Sequence, residues 1–210
     1  MSTGIWEEIK RRKVFFDGGM GSLLQAKGLK AGELPETWNL LHPDILKEIH
    51  LDYLKAGCDI LTTNSFGANR LKYPKEGEFS LKEIVTAAVS NARWAVEEMG
   101  RGFVALDLGP TGKLLKPLGD LDFDDAYEIY KEVVLFGCKA GVDLILIETM
   151  SDGYEAKSAI LAAKENSNLP VFATMIFDRK GKLLTGGDVK STVALLECLG
   201  VDALGINCGL

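Results

Sequence analysis

One five-residue pattern recurs three times in this chain, and it narrows the possible folds more than any other feature. Gly57-Cys58-Asp59-Ile60-Leu61, Gly141-Val142-Asp143-Leu144-Ile145 and Gly200-Val201-Asp202-Ala203-Leu204 each read glycine, one residue, aspartate, then an apolar run. Each glycine suits the end of a helix, where a left-handed residue closes the last turn. Each apolar run reads as a strand. Counting five residues on from each aspartate gives Asn64, Glu148 and Asn207. Three quasi-equivalent strands are therefore expected to end in a polar residue at one register. Asp17 and Asp107 close two further apolar runs in the same way.

Between the repeats the chain alternates strand and helix without a linker or low-complexity stretch. Strands are predicted at Val14 to Phe16, after Asp59, at Phe103 to Leu106, at Asp143 to Ile147, at Val171 to Ile176 and at Ala203 to Ile206. Trp38, Leu41, Ile45, Ile49 and Tyr53 recur at helical spacing, with Pro43 suited to a first turn and Gly57 to the stop. Ser80 with Glu83 forms a capping-box pattern before a second long helix that stops at Gly100. Asp122, Ser151 and Asp188 are expected to open three more.

Such near-continuous apolar runs fit parallel strands buried on both faces. Parallel strands with alternating helices make an open doubly wound sheet or a closed barrel. Polar residues at the carboxyl ends of several strands favour the barrel, because an open sheet would gather them at one switch point. The expected fold is a (β/α)8 TIM-type barrel, of which about six βα units are read where the complete barrel has eight.

The chain has 210 residues, 47% of them hydrophobic, enough for one sizeable core. Its net charge of −6 speaks against nucleic acid or an anionic membrane as the main partner, since both select clustered Lys and Arg. No apolar run approaches the roughly 18 to 20 residues that span a bilayer. Met1 to Lys13 lacks the apolar stretch of a signal peptide, so a cytoplasmic location is expected. The four cysteines form no C-x-x-C pair and no disulfide framework.

Five features could carry chemistry, and each has a plain structural reading beside it. The loop Asp17-Gly18-Gly19-Met20-Gly21 could bring backbone N–H groups to an anion, or could be a βα turn that needs positive φ. It is not a dinucleotide fingerprint, because the G-x-G-x-x-G spacing is absent. Thr63 and Asn64, within Thr62-Thr63-Asn64-Ser65, could bind a ligand or simply cap a strand. Glu148 closes a buried strand, where its charge is costly unless a cation or donor meets it. Cys208 alone of the cysteines falls at a strand mouth; Cys58, Cys138 and Cys198 read as packing residues. His42 and His50 lie in or beside the first long helix and read as surface or capping residues.

Taken together, Phe16-Asp17-Gly18-Gly19-Met20-Gly21, Tyr53-x-x-Ala56-Gly57-Cys58-Asp59-Ile60-x-x-Thr63-Asn64-Ser65-Phe66, Leu146-Ile147-Glu148-Thr149 and Val201 to Cys208 strongly resemble the homocysteine S-methyltransferase family. Within it the chain looks most like the N-terminal homocysteine-binding module of cobalamin-dependent methionine synthases. The resemblance implies a barrel whose zinc is held by three cysteine thiolates. Cys208 matches the first; the others form a Cys-Cys pair at the eighth strand that is not in this sequence. It further implies that Asp17, Gly18, Gly19, Met20, Thr63 and Asn64 hold the amino-acid head of L-homocysteine, with Glu148 on its ammonium. Methylcobalamin, on another module, would be the methyl donor.

Residues 1–210 are accordingly expected to form a homocysteine-binding barrel domain without strands 7 and 8, partnered by the rest of the barrel and by folate and cobalamin modules of a larger methionine synthase. Three alternatives stand beside this reading. The donor could be S-methylmethionine or a betaine. The chain could be a non-catalytic partial barrel. It could also be an unrelated barrel enzyme whose glycine loop binds phosphate and whose Cys208 is core.

Overall fold

The computed structural model describes residues 4–74 and 76–209, so Met1 to Thr3 and Leu210, the two ends of the expected domain, lie outside the described residues. Five strands, β1 (Ile60–Thr62), β2 (Phe103–Leu108), β3 (Leu144–Met150), β4 (Val171–Met175) and β5 (Ala203–Ile206), form one sheet in sequence order with every pairing parallel. The helices α1 (Ile5–Arg11), α2 (Met20–Ala26), α3 (Trp38–Leu41), α4 (Pro43–Ala56), α5 (Leu81–Met99), α6 (Phe123–Ala140), α7 (Gly153–Asn166) and α8 (Val189–Cys198) fill the connections. No helix among the described residues is long and apolar enough to cross a membrane.

The strand predicted at Val14 to Phe16 is reduced to a single parallel bridge between Phe16 and Ile60. Its three apolar residues lie in strand position, since Asp59 and Ile60 donate to the Phe15 carbonyl and Asp17 donates to that of Ile60. The run is too short to continue the ladder. The helix predicted from Trp38 to Tyr53 is broken into a 3-10 turn (Pro35–Thr37), α3 and α4. The cause is Pro43, which lacks an N–H and disfavours helical backbone just before it; His42 sits at φ −137°, ψ 52°.

The caps follow the residue chemistry more closely. Ser80 with Glu83, and Asp188 with Ser191, form reciprocal capping boxes on α5 and α8. Asp152, not Ser151, caps α7 by accepting from the Tyr154 N–H. Asp122 stands at the start of α6 but makes no side-chain cap; its carboxylate takes Lys116 Nζ at 2.8 Å instead.

The recurring aspartate has a structural task. Asp59, Asp143 and Asp202 accept the backbone N–H of Phe15, Val104 and Val171 at 2.9, 2.7 and 2.8 Å. In return, their own N–H groups donate to the carbonyls of those same three residues. A cation completes each clamp: Arg12 bidentate on Asp59, Arg93 on Asp143 and Lys164 on Asp202. The preceding Gly57, Gly141 and Gly200 all have positive φ, as helix stops require. The clamps fall on alternate gaps, joining the Phe15 segment to β1, β2 to β3, and β4 to β5.

Two apolar layers sandwich the sheet. Outward, Leu61, Val104, Leu106, Ile145, Ile147, Val171 and Ala173 pack against α5, α6 and α7. Inward, Ile60, Ala105, Leu144, Leu146 and Phe172 form a smaller cluster closed by Ile5 of α1. Trp6 and Phe16 pack their rings on Phe172 at 5.9 and 6.3 Å. Beyond β5 the sheet is open, which leaves Ile206 73% exposed.

Two side chains differ from expectation. His50 is not a surface residue: it is wholly buried in α4, and neither ring nitrogen has a hydrogen-bond partner. The helical spacing that turns Ile49 inward turns its neighbour inward too. Among the cysteines read as packing residues, Cys58 is buried and Cys138 half-buried, but Cys198 is exposed. It ends α8 where that helix has few neighbours, so it does not pack a core.

Candidate functional site

The carboxyl ends of the strands open into a cleft of about 620 Å³. Strand alternation explains its lining. Thr62, Asp107, Glu148, Thr174 and Asn207 continue the inward-facing rows of five successive strands, above the Ile5 cluster. Asp17, Gly18, Gly19, Met20 and Gly21 form one wall, and Glu36, Asn64, Phe66 and Cys208 complete the rim. All eight residues singled out from the sequence, Asp17, Gly18, Gly19, Met20, Thr63, Asn64, Glu148 and Cys208, line this one cleft.

They are held there in different ways. The Asp17 carboxylate accepts the Thr62 N–H and hydroxyl, each at 2.9 Å. Burial nevertheless pushes its pKa up to about 7, opposed by those two hydrogen bonds and reinforced by the charge of Glu148. Gly18 is required by space rather than by φ: a Cβ there would stand 2.9 Å from the Tyr53 hydroxyl. Neither it nor Gly19 nor Gly21 has positive φ, so the turn is not the left-handed one considered above.

Thr63 and Asn64 have much of their polarity committed internally. The Thr63 hydroxyl lies 2.7 Å from that of Ser65 and accepts the Asp107 N–H, while Ser65 donates to the Asp107 carbonyl. The Asn64 amide donates to the Pro35 carbonyl. These bonds fix the β1 end against β2 and leave little donor capacity for a ligand.

Glu148 and Cys208 sit on irregular backbone. The β3–β4 register shifts between Ile147 and Met150, and Thr149 within that bulge has φ 59°. Cys208 has φ 51°. These two are the non-glycine residues with positive φ among those described, and both are at the cleft. Backbone held in that region is costly and concentrates where a side chain must be aimed. In a straight strand Asn207 and Cys208 would point to opposite faces; the turn at Cys208 brings both to the cleft.

Asn207 is the junction. Its amide donates to Thr149 Oγ1 at 2.8 Å and Glu148 Oε2 at 3.3 Å, and its Oδ1 accepts from Thr174. The Thr149 hydroxyl in turn reaches Cys208 Sγ at 3.8 Å. Burial raises the pKa of Glu148.

Three contributors were not read from the sequence. Glu36 is buried, with its carboxylate taken by the Gly67 N–H at 2.6 Å and the Tyr73 hydroxyl at 3.0 Å. It lies in a proline-led turn that carried no signal. Thr149 was visible only as the neighbour of Glu148. Asp107 did carry a signal, an acid closing a buried strand as Glu148 does, but no role followed from it.

The sequence profile described as Homocysteine S-methyltransferase matches residues 14–210. Methionine synthase of Mycobacterium tuberculosis is 29% identical over 98% of this chain, and that of Mycobacterium leprae 28% over the same share. The chain spans only 18% of the length of each of those relatives. Among solved structures, the metallated form of the homocysteine methyltransferase MmuM from Escherichia coli matches with a TM-score of 0.83 at 24% identity, covering 96% of this chain and 77% of that one. Its oxidised form matches with the same score, covering 95% and 75%. The five parallel strands and their helices are thus the corresponding part of a TIM-type barrel.

Proposed function

Because the chain belongs to the homocysteine S-methyltransferase family, we propose that its cleft binds the amino-acid head of L-homocysteine and presents the substrate sulfur beside Cys208 for methylation to methionine. The observation that carries this reading is the charge of the cleft. Asp17, Glu36, Asp107 and Glu148 line it, and among the described residues no Lys, Arg or His does. An ammonium group is the complement of such a wall, whereas a phosphate would be repelled. Glu148, whose one donor among the described residues is the 3.3 Å contact from Asn207, takes the ammonium in this assignment. The loop from Asp17 to Met20, with Thr63 and Asn64 behind it, shapes the pocket for the rest of the head group.

Cys208 is assigned to the sulfur end. Zinc held by protein thiolates leaves a position for a substrate thiol and deprotonates it on binding. Among the described residues, however, no group of three His, Cys, Asp or Glu side chains could hold a metal. Cys208 supplies one thiolate, and the described residues do not make a zinc site. The chemistry assigned to this chain's own residues is therefore binding and orientation.

The names of the mycobacterial relatives support methionine as product. We assign methylcobalamin on another module as donor, with the remaining barrel and the folate and cobalamin modules of a larger methionine synthase as partners. Four free cysteines support a reducing, cytoplasmic setting.

Calorimetric titration with L-homocysteine tests the assignment. Glu148→Gln keeps the shape and removes the charge, so the affinity should fall by about tenfold or more, as expected for a lost charged hydrogen bond. An unchanged affinity would overturn the ammonium role.

A further inference from the structure

The four acids of the cleft are not equally provided for. Glu36 accepts two donors, Asp17 accepts two, and Glu148 has the Asn207 amide. Asp107 is 5% exposed, and among the described residues nothing meets its Oδ1. Its backbone is fixed within β2. Its N–H is bonded to Thr63 and its carbonyl to Ser65, and Leu106 and Leu108 on either side are buried. The ionisable groups that face it are Asp17 from the loop after Phe16, Glu148 from β3 and Glu36 from the turn before α3. Each is an acid, and the neighbouring β1 offers only the neutral Thr62 and Thr63. A buried carboxylate with no donor and no counter-charge is among the costliest groups a protein can hold, and such groups stay neutral instead.

We propose that Asp107 keeps its proton while the cleft is empty and yields it to solvent when a ligand ammonium enters, so that amino-acid uptake by this site releases a proton. The coupling rests on the reading of the cleft as an amino-acid site. Its balance is simple: the carboxylic acid becomes a carboxylate, and the proton passes to the buffer. Burial first, then the charges of Glu148, Asp17 and Glu36, hold the Asp107 pKa well above the ordinary carboxylate range. A positive charge placed among these acids opposes the second cause and lowers that pKa. By linkage, affinity for the zwitterion then rises with pH until Asp107 is ionised in the free chain as well.

Two measurements test this, one without ligand. In the chain labelled with 13C at aspartate carboxyls, the resonance missing from Asp107→Asn should titrate well above the ordinary carboxylate range. If it titrates with ordinary carboxylates, the proposal is overturned. Calorimetry with L-methionine, which has no thiol to ionise, in two buffers of different ionisation enthalpy then counts protons. The wild-type chain should release up to about one proton per ligand over the pH range in which Asp107 is protonated in the free chain. Asp107→Asn should release fewer protons than wild type, the remainder coming from Asp17, and show a flatter dependence of affinity on pH. Equal release from both would overturn the proposal. If Asp107 is protonated but no amino acid binds at any pH, the amino-acid reading fails, and the coupling with it.

Discussion

Asp17, half-buried, and His50, fully buried, are both titratable, yet acid acts on them with opposite sign. His50 has its pKa lowered from 6.5 to about 4 by burial. A group depressed in the fold contributes stability above its unfolded value and loses it as pH falls, here across 6.5 to 4. Asp17 is raised from 3.8 to about 7, so its contribution is complete below 3.8 and is lost as pH rises through 7. The windows overlap, so the two groups oppose each other within the wild-type profile. His50→Leu should therefore flatten the loss of denaturant stability between pH 6.5 and 4. At pH 7 it should be neutral or stabilising by about 1 kcal/mol, because two unpaired ring nitrogens leave the core. A variant as acid-sensitive as wild type would show that His50 does not govern that limb. At this scale the sequence was informative where a residue's type contradicted its position, as with Glu148 ending an apolar strand. It was silent where burial depends on packing between elements, as for His50 in α4 and Glu36 in its turn.

Strands and helices could be read where local chemistry decides them. The capping box at Ser80, the helix start at Asp188 and the left-handed glycines after α4, α5 and α6 are properties of a few adjacent residues, and they stand as read. The miscounted strand at Val14 to Phe16 depends on how far a partner ladder extends, which no local pattern encodes. The recurring aspartate lies between these cases: its spacing was plain, but its task is a clamp between elements. Removing one clamp tests that task. Asp143→Ala takes the acceptor from the Val104 N–H and the partner from Arg93. It should destabilise the chain by about 2 kcal/mol, in the range for a hydrogen bond to a charged group. Urea denaturation measures it, and a loss no larger than that of a typical surface substitution would reduce the clamp to decoration.

For the whole molecule, the open flank beyond β5 matters most. Among the described residues β5 pairs only with β4, and Leu204 and Ile206 are 43% and 73% exposed along it. Unpaired strand edges with apolar side chains promote association. Ile206→Lys should shift sedimentation of the isolated chain towards monomer at a given concentration, and an unchanged distribution would clear this edge of responsibility. The clamps bear on how such a chain comes into being. They lock strands two at a time, and each aspartate reaches a backbone made only 31 to 44 residues earlier. During synthesis a finished pair can therefore close before the next has left the ribosome, with no contact waiting on the far end of the chain. The unit in which this architecture is assembled, and in which it could be duplicated or exchanged, is two strands rather than one.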